Sequence, residues 1–169
     1  DNVALAALAQ HSGGRARLAE ATDQANLKET DRLVALIKTK RNGRGVVGIL
    51  GLSYKPGTNV VDSSQGLLLS QALAAEGISV VAYDPAAMDQ ARQVLGESIK
   101  FAESSESCIK QSDLVVITTP WKGFESLAPE AFGPRGSRVL IDCWRLMDAT
   151  RFATLTDYVP LGVGPVYTD

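Results

Sequence analysis

The sequence predicts an α/β fold in which a doubly wound, mainly parallel sheet follows two helices. Three observations support this. From residue 46 onward, short apolar runs alternate with helical patterns, as strands and helices do in such sheets. The run 114–118 is apolar almost throughout, as expected for a strand at the centre of a sheet. The patterns before residue 46 are helical only, so we divide the chain into a helical segment, 1–44, and an α/β domain, 45–169.

Two helices are expected in the first segment. Residues 1–10 are rich in alanine and leucine at helical spacing, and Ser12-Gly13-Gly14 ends that helix. A longer helix runs from about 15 to 40, and its apolar stripe consists of Leu18, Ala21, Ala25, Leu33, Val34 and Ile37. These helices either cap the sheet or join it to something else. Because the chain starts at Asp1 instead of Met, we expect a piece of a longer protein.

Capping and stop residues mark the ends of the helices in the α/β domain. Ser63 or Ser64 is the expected N-cap of a helix that Gly77 ends, and Asp84-Pro85 is expected to open another. The predicted strands are 46–50, 79–83, 99–101, 114–118, 138–142 and 158–161. The predicted helices are 64–76, 86–95 and 104–111, with weakly helical pieces within 123–132. Strand–helix units of this kind form a parallel sheet through right-handed crossovers.

Composition excludes several classes of protein. The chain has 169 residues, 45% of them hydrophobic, which suits one globular domain. A net charge of −2 argues against a general binder of nucleic acids or of membrane surfaces, and no apolar run reaches the roughly 20 residues of a membrane span. No secretory signal is visible, so we expect a cytoplasmic protein with two reduced, buried cysteines, Cys108 and Cys143. One histidine, His11, argues against a histidine-based metal site.

The loop after the first strand is unusually long. It starts at Gly51 and runs for roughly a dozen residues, whereas such loops usually have about 2–6. It carries Lys55 between Tyr54 and a Pro-Gly turn. Because ligands bind at the carboxyl ends of strands in open α/β sheets, Lys55 is a candidate phosphate anchor. A solvent-facing lysine on a surface loop explains the same residue, and this stretch alone leaves both readings open.

Three strand ends should gather at one edge of the sheet, namely 51–58, 118–121 and 142–145. They would bring together Lys55, Thr58, Thr118, Thr119, Trp121, Asp142 and Arg145. Cations, hydroxyls and aromatic rings at one rim suit a phosphorylated ligand that carries a base. Trp121 and Trp144 are also explained by packing, and this is the safer interpretation.

A dinucleotide site on this domain is not supported. Gly48-x-x-Gly51 differs from the G-x-G-x-x-G fingerprint. Asp84 lies farther from Gly51 than the spacing of about 20 residues typical of ribose-binding acids, so helix capping is the better explanation. Cys143 is expected to be a packed thiol, since no histidine is available to activate it.

Several motifs in consistent order resemble the C-terminal domain of the UDP-glucose/GDP-mannose dehydrogenase family. They are Gly51-Leu52-Ser53-Tyr54-Lys55-Pro56-Gly57-Thr58, Ser64, Tyr83-Asp84-Pro85, the stretch 113–121 and Ile141-Asp142. Asp1, Ala4, Leu5 and Asn26 look like the family's central helical region. The resemblance covers nearly the whole chain and implies a Rossmann-like domain.

The resemblance also implies an activity. The family oxidises the sugar C6 hydroxyl of a nucleotide sugar to a carboxylate in two NAD-dependent steps, in the synthesis of polysaccharide precursors. An N-terminal domain holds NAD, a cysteine ahead of the central helices reacts with the sugar, and the C-terminal domain binds the nucleotide end. The central helices form a dimer. By this resemblance, the chain is a fragment that binds a UDP-sugar or GDP-sugar, dimerises through residues 1–40 and is inactive alone.

Individual residues carry over as follows. Lys55 matches the lysine that contacts the nucleotide sugar, Tyr54 the aromatic residue before it, and Thr58 the threonine that follows in the same loop. Asp1 matches an aspartate that assists the chemistry. Arg145 corresponds to the arginine of an Asp-Gly-Arg pattern but stands one place late.

A second departure lies in the loop, where the family's Thr-Asp-Asp-hydrophobic-Arg-Glu-Ser reads Thr58-Asn59-Val60-Val61-Asp62-Ser63-Ser64. The arginine that reaches NAD is thus replaced by Asp62. These departures are compatible with a divergent subfamily. They are equally compatible with a non-catalytic nucleotide-binding or assembly module of the same fold.

Overall fold

The computed structural model describes residues 2–43, 45–134 and 136–164, with their side chains except at 153 and 155. Its helices are α1 Asn2–His11, α2 Arg17–Arg41, α3 Gln65–Ala75, α4 Met88–Leu95, α5 Ser105–Lys110, α6 Lys122–Glu125 and α7 Ala149–Leu155. Its strands are β1 Val47–Leu50, β2 Val80–Tyr83, β3 Lys100–Phe101, β4 Leu114–Ile117, β5 Val139–Asp142 and β6 Asp157–Pro160. A short 3-10 turn, Pro129–Phe132, precedes β5.

The six strands form one sheet in the order β3-β2-β1-β4-β5-β6, and every pairing is parallel. This confirms the doubly wound architecture, with β4 near the centre and β3 at one edge. The register is even: Leu50 pairs with Tyr83 and Ile117, and Asp142 pairs with Ile117 and Pro160. The strands therefore end together, and the loops that follow them share one edge of the sheet.

Side chains alternate between two cores on the two faces of the sheet. Val47 and Ile49 of β1 join one core with α2, α3 and α4, whereas Leu50 joins the other with α5, α6, the 3-10 turn and α7. Val116 and Ile117 of β4 divide in the same way. Because successive residues of a strand point to opposite faces, a strand covered on both sides is apolar along most of its length. This explains the uninterrupted apolar runs.

The helical segment docks by only part of its length. Val34 and Ile37 of α2 are buried in the first core, and the Thr30 hydroxyl donates to Gln65 Oε1 of α3 over 3.3 Å. The predicted stripe is wrong in the first half of α2, where Leu18 is 83% exposed. In this half of the helix only Ala19 is buried, and none of its residues belongs to either core. Among the described helices, none is long and apolar enough to cross a membrane.

Three local predictions need correction. Helix α4 begins at Met88, later than the predicted 86, because the Asp84 side chain holds residues 84–87 in a turn. The helical region 123–132 splits before Pro129, since proline disfavours helix at the residue before it. Helix α7 was not predicted. At seven residues it is too short to be stable on propensity alone, but Asp148 caps it and Phe152 is buried in the second core.

Candidate functional site

The loop after β1 is fixed at both ends and projects in the middle. At its start, the Thr118 hydroxyl donates to Gly51 O over 2.6 Å, and the Thr119 hydroxyl donates to Ser53 O over 2.8 Å. Where the loop returns, Val61 is buried in the first core. Between these anchors, the Tyr54 N–H donates to the Val60 carbonyl over 2.8 Å and closes the exposed tip of the loop.

Glycine is required where this loop meets α3. Gly51 has a φ of 109°, a conformation that L side chains rarely adopt. A Cβ placed on Gly66, in the first turn of α3, would lie 2.0 Å from the Gly51 carbonyl oxygen. The helix therefore touches the loop backbone directly. This close approach sets the path of the loop across the carboxyl edge of the sheet.

Asp84, at the end of β2, holds the start of the loop in place. Its Oδ2 accepts from the N–H groups of Leu52 (2.7 Å) and Ser53 (2.9 Å), the Ser53 hydroxyl (2.8 Å) and the Trp121 indole (3.1 Å). Its Oδ1 accepts from the N–H groups of residues 86 and 87. Burial works to raise the pKa of Asp84, but these hydrogen bonds outweigh it and hold the pKa below its ordinary value. Trp121 is a structural residue, since its indole serves this network.

A cleft of about 350 Å³ lies between α2 and the carboxyl edge of the sheet. Its volume falls at the small end of the range, roughly 300–1,000 Å³, for small-molecule sites. It is lined by Asn26, Glu29, Arg32 and Leu33 of α2, Gln65 of α3, and Thr118, Cys143, Trp144, Arg145, Leu161 and Gly162 at the strand ends. Both segments of the chain thus contribute to it.

A buried carboxylate, Asp142, shapes the turn that enters this cleft. Its oxygens accept from the Trp144 N–H (3.0 Å), the Met147 N–H (2.9 Å) and the Tyr158 hydroxyl (2.9 Å). Burial and this hydrogen bond to the aspartate raise the pKa of Tyr158. Arg145 adopts a φ of 56°, which is uncommon for a residue with a side chain. The turn therefore has a defined shape that exposes the side chains of residues 144 and 145.

The two cysteines are poor nucleophiles. Burial raises the pKa of Cys108 to about 12, and the thiol lies under the β1 and β2 backbone. Burial, with the negative charge of Asp142 adding to it, also raises the pKa of Cys143 to about 12, although Arg32 opposes the shift. The thiolate is the reactive form of cysteine. Both are free thiols, and Cys143 is only half-buried, so the expectation of full burial is wrong for it.

The structure brings the three predicted strand ends together but divides the predicted site residues. Tyr54 and Lys55 are exposed and Thr58 is half-exposed on the projecting part of the loop, and these residues do not line the cleft. The Thr58 side chain accepts from the Val60 N–H over 3.2 Å. Arg145 lines the cleft. Asp1 lies outside the described residues.

The comparisons with known proteins bear on this edge of the sheet. Residues 48–149, more than half of the chain, match the model for the UDP-glucose/GDP-mannose dehydrogenase family, UDP binding domain. The chain belongs to this family. It is 32% identical over 148 residues to a UDP-glucose 6-dehydrogenase, AglM, from Haloferax volcanii, covering 87% of this chain and 34% of that protein. It is 32% identical over 125 residues to UDP-glucose 6-dehydrogenase TuaD from Bacillus subtilis, covering 72% of this chain and 27% of that protein.

Solved structures agree with this membership of the UDP-glucose/GDP-mannose dehydrogenase family. A UDP-glucose dehydrogenase from Pyrobaculum islandicum superposes with a TM-score of 0.77 at 26% identity, covering 95% of this chain and 35% of that one. A GDP-mannose dehydrogenase from Pseudomonas aeruginosa superposes with a TM-score of 0.72 at 21% identity, covering 95% of this chain and 37% of that one. At this identity the similarity shows the fold alone. The chain spans about a third of the length of the relatives it matches.

The residues of this domain do not form the usual NAD site of a Rossmann sheet. A Rossmann sheet binds NAD through a glycine-rich turn after β1 and an acid after β2. Here Gly48-x-x-Gly51 lacks the full fingerprint, and the acid, Asp84, is buried with both oxygens occupied by loop and helix donors. No carboxylate oxygen is left to face a ribose. The same atoms instead stabilise the β1 loop.

Sequence reasoning missed part of the cleft. Asn26, Arg32 and Gln65 lie on α2 and α3, and strand-end reasoning does not reach them. Their sequence signal was weak: Asn26 stood out only through the family resemblance. For Trp144, core or rim packing is the safer interpretation from sequence, and the structure places it at the rim of the cleft with 54% of its surface exposed. The sequence feature that could have indicated a ligand site there is a tryptophan next to an arginine at a strand end.

Proposed function

We propose that this chain is the nucleotide-binding part of an NAD-dependent nucleotide-sugar 6-dehydrogenase, which oxidises the C6 hydroxyl of a UDP-sugar or GDP-sugar to a carboxylate. One observation carries the proposal: the match to the family's UDP binding domain over residues 48–149. That stretch includes the loop after β1, the end of β4 and the turn after β5. The residues at this edge of the sheet therefore belong to the matched region.

Four residues would contact the nucleotide sugar. Lys55 would supply a positive charge to a phosphate, next to the exposed ring of Tyr54 and the hydroxyl of Thr58. Within the described residues, no carboxylate lies within ion-pair distance of Lys55 or Arg145, since the ion pairs there involve other residues. Both cations are thus available to an anionic ligand.

The rest of the reaction would need groups outside this chain. NAD would supply the oxidising power, and a separate N-terminal domain would hold it, since the α/β domain described here does not fit it. Asp1 would assist the chemistry beside a cysteine that precedes it in the parent protein. On this proposal, the fragment binds its substrate but does not turn over alone.

The protein would also form a homodimer through residues 1–40. Support comes from apolar side chains that this segment leaves exposed: Val3 at 66%, Leu8 at 63%, Leu18 at 83% and Leu27 at 63%. Burial of such side chains is the usual driving force for association. Light scattering after gel filtration should give twice the monomer mass. A double Leu8→Lys, Leu18→Lys variant should be monomeric, while Val94→Lys on α4 should remain dimeric. A monomeric wild-type chain would contradict this part of the proposal.

Isothermal titration calorimetry with UDP-glucose tests substrate binding. We expect the chain to bind, and Lys55→Ala to weaken binding by about tenfold, as for a lost hydrogen bond to a charged group. Lys110→Ala is the matched control. Lys110 is also exposed, but it ends α5 just before β4 and thus lies at the opposite edge of the sheet. Absence of binding, or equal affinities for the two variants and wild type, would refute the proposal.

A non-catalytic binding or assembly module is the second candidate. Asp62 favours it, because this exposed carboxylate replaces the family's cation in the β1 loop. An assay of NAD reduction by the full-length parent protein, against a panel of nucleotide sugars, separates the two candidates. Turnover with any of them identifies an enzyme, and binding without turnover identifies a module.

A further inference from the structure

A fixed and partly exposed aromatic residue, Trp144, lines the cleft beside α2. Trp144 is 54% exposed, yet its indole N–H donates to the Thr118 carbonyl over 2.9 Å. Its backbone N–H donates to the buried carboxylate of Asp142 over 3.0 Å. The residue is thus held at two points while much of its ring remains open. An exposed tryptophan held in this way loses little conformational freedom when a planar ligand stacks on it.

A cation lies next to this ring. Arg145 Nη1 donates to the Leu161 carbonyl over 3.0 Å, which directs the guanidinium towards the cleft that both residues line. A guanidinium has five donor hydrogens, so this one bond leaves most of them available. Arg32, on the opposite wall, is paired with Glu29 over 2.8 Å. The unpaired positive charge of the cleft therefore comes from Arg145.

An exposed aromatic ring beside a guanidinium that has no carboxylate partner among the described residues matches a base attached to a phosphate. Bases stack on aromatic side chains, and arginine binds phosphate through directed hydrogen bonds. A volume of about 350 Å³ suits a nucleotide better than a complete nucleotide sugar. The sugar would then extend out of the cleft.

We propose that the uracil base of the bound nucleotide stacks on Trp144 in this cleft, and that Arg145 binds its phosphate. This inference rests on the proposed function and deepens it, because it assigns the two ends of the nucleotide to separate residues. It also gives a role to the extra residue between Asp142 and Arg145, by which this chain departs from the Asp-Gly-Arg pattern. Trp144 would then contribute affinity for the base without selecting among bases.

Titration of UDP and of ribose 5-phosphate, which lacks a base, tests this inference. Stacking predicts that Trp144→Ala weakens UDP binding at least about fivefold, whereas Trp144→Phe keeps most of the affinity. Binding of ribose 5-phosphate should be equal in wild type and Trp144→Ala. Arg145→Ala should weaken both ligands. UDP should quench the tryptophan fluorescence of wild type and not that of Trp144→Phe, which retains only the structural Trp121.

The outcomes are distinct. If wild type binds UDP, but Trp144→Ala is folded by circular dichroism and binds it equally well, the stacking proposal is overturned and the proposed function survives. Quenching that persists in Trp144→Phe overturns stacking without relying on the alanine variant. If wild type does not bind UDP at all, the proposed function fails, and the inference fails with it.

Discussion

Replacing Asp84 by asparagine should destabilise the domain strongly, because no orientation of the new amide satisfies the surrounding donors. One carboxylate oxygen becomes an NH₂ group, which would face donors on either side. In the better orientation the new NH₂ group faces the backbone N–H groups of residues 86 and 87. The buried N–H of residue 87 then has no acceptor, which costs about 1–3 kcal/mol. The four donors on the other oxygen lose the assistance of a full charge, roughly 2 kcal/mol together. We expect a loss of about 3–5 kcal/mol in the free energy of unfolding.

Urea unfolding followed by circular dichroism measures this loss, and Asp148→Asn is the matched control. Asp148 caps α7 at the surface, and all its recorded bonds go to one oxygen, Oδ1, which asparagine retains. Asparagine is also as good an N-cap as aspartate. The control should therefore stay close to wild type. A loss below about 1 kcal/mol for Asp84→Asn, or equal losses in the two variants, would refute the hydrogen-bonding argument.

The pH dependence of the unfolding free energy of wild type and Asp84→Asn gives a second test. The pKa of Asp84 is lowered in the folded state from its ordinary value of 3.8. Stabilisation by its charge is therefore fully present above that value and is lost as the pH falls through the lower folded pKa. Asp84→Asn has no such group. The gap in unfolding free energy between wild type and variant should narrow below about pH 4, and a constant gap down to pH 2 would contradict the assignment.

Three further predictions follow from packing, acidity and hydrogen bonding. Gly66→Ala should destabilise the fold by about 3 kcal/mol or more, because the new Cβ would lie 2.0 Å from the Gly51 carbonyl oxygen. Gly123→Ala has open space around it and should leave the urea midpoint unchanged. Cys108 and Cys143, whose pKa values are about 12, should react with Ellman's reagent at pH 8 far more slowly in the folded than in the unfolded chain; equal rates would contradict their raised pKa. Tyr158→Phe should cost about 1.5–3 kcal/mol by losing its bond to a buried carboxylate, and an unchanged urea midpoint would exclude that bond.

The sheet could be predicted because each of its strands carries its own signal. The runs 46–50, 114–118 and 138–142 are apolar at every position that the two cores cover, and the observed strands lie within them. Parallel pairing then places their ends at one edge without further information. The convergence of residues 51–53, 118 and 142–145 was predictable for this reason.

The site was less predictable because its geometry depends on contacts between distant segments. Nothing local to Asp84 shows that its carboxylate bonds to the backbone at 52 and 53, which are 32 and 31 residues away. The cleft depends on where α2 crosses the sheet, which helical periodicity does not encode. Trp144 was assigned to packing because packing is the usual fate of a tryptophan, and only its contact with Thr118 shows that it is held at a rim.

Helix α7 is a comparable case within the fold. Its seven residues, 149–155, are too few for an isolated helix to be stable, although several of them favour helix. It is held by tertiary contacts, since Phe152 packs edge-on against Phe132 at 5.6 Å between ring centroids. Local propensity alone does not identify such a helix.

The central claim is that the carboxyl edge of this sheet binds a uridine nucleotide. Mapping of backbone amide chemical shifts during titration with UDP tests it most directly. We expect the largest changes at 51–58, 118–119, 143–145 and 161–162, and no change at the opposite edge around 110–113. Changes confined to that opposite edge, or no change at saturating UDP, would contradict it.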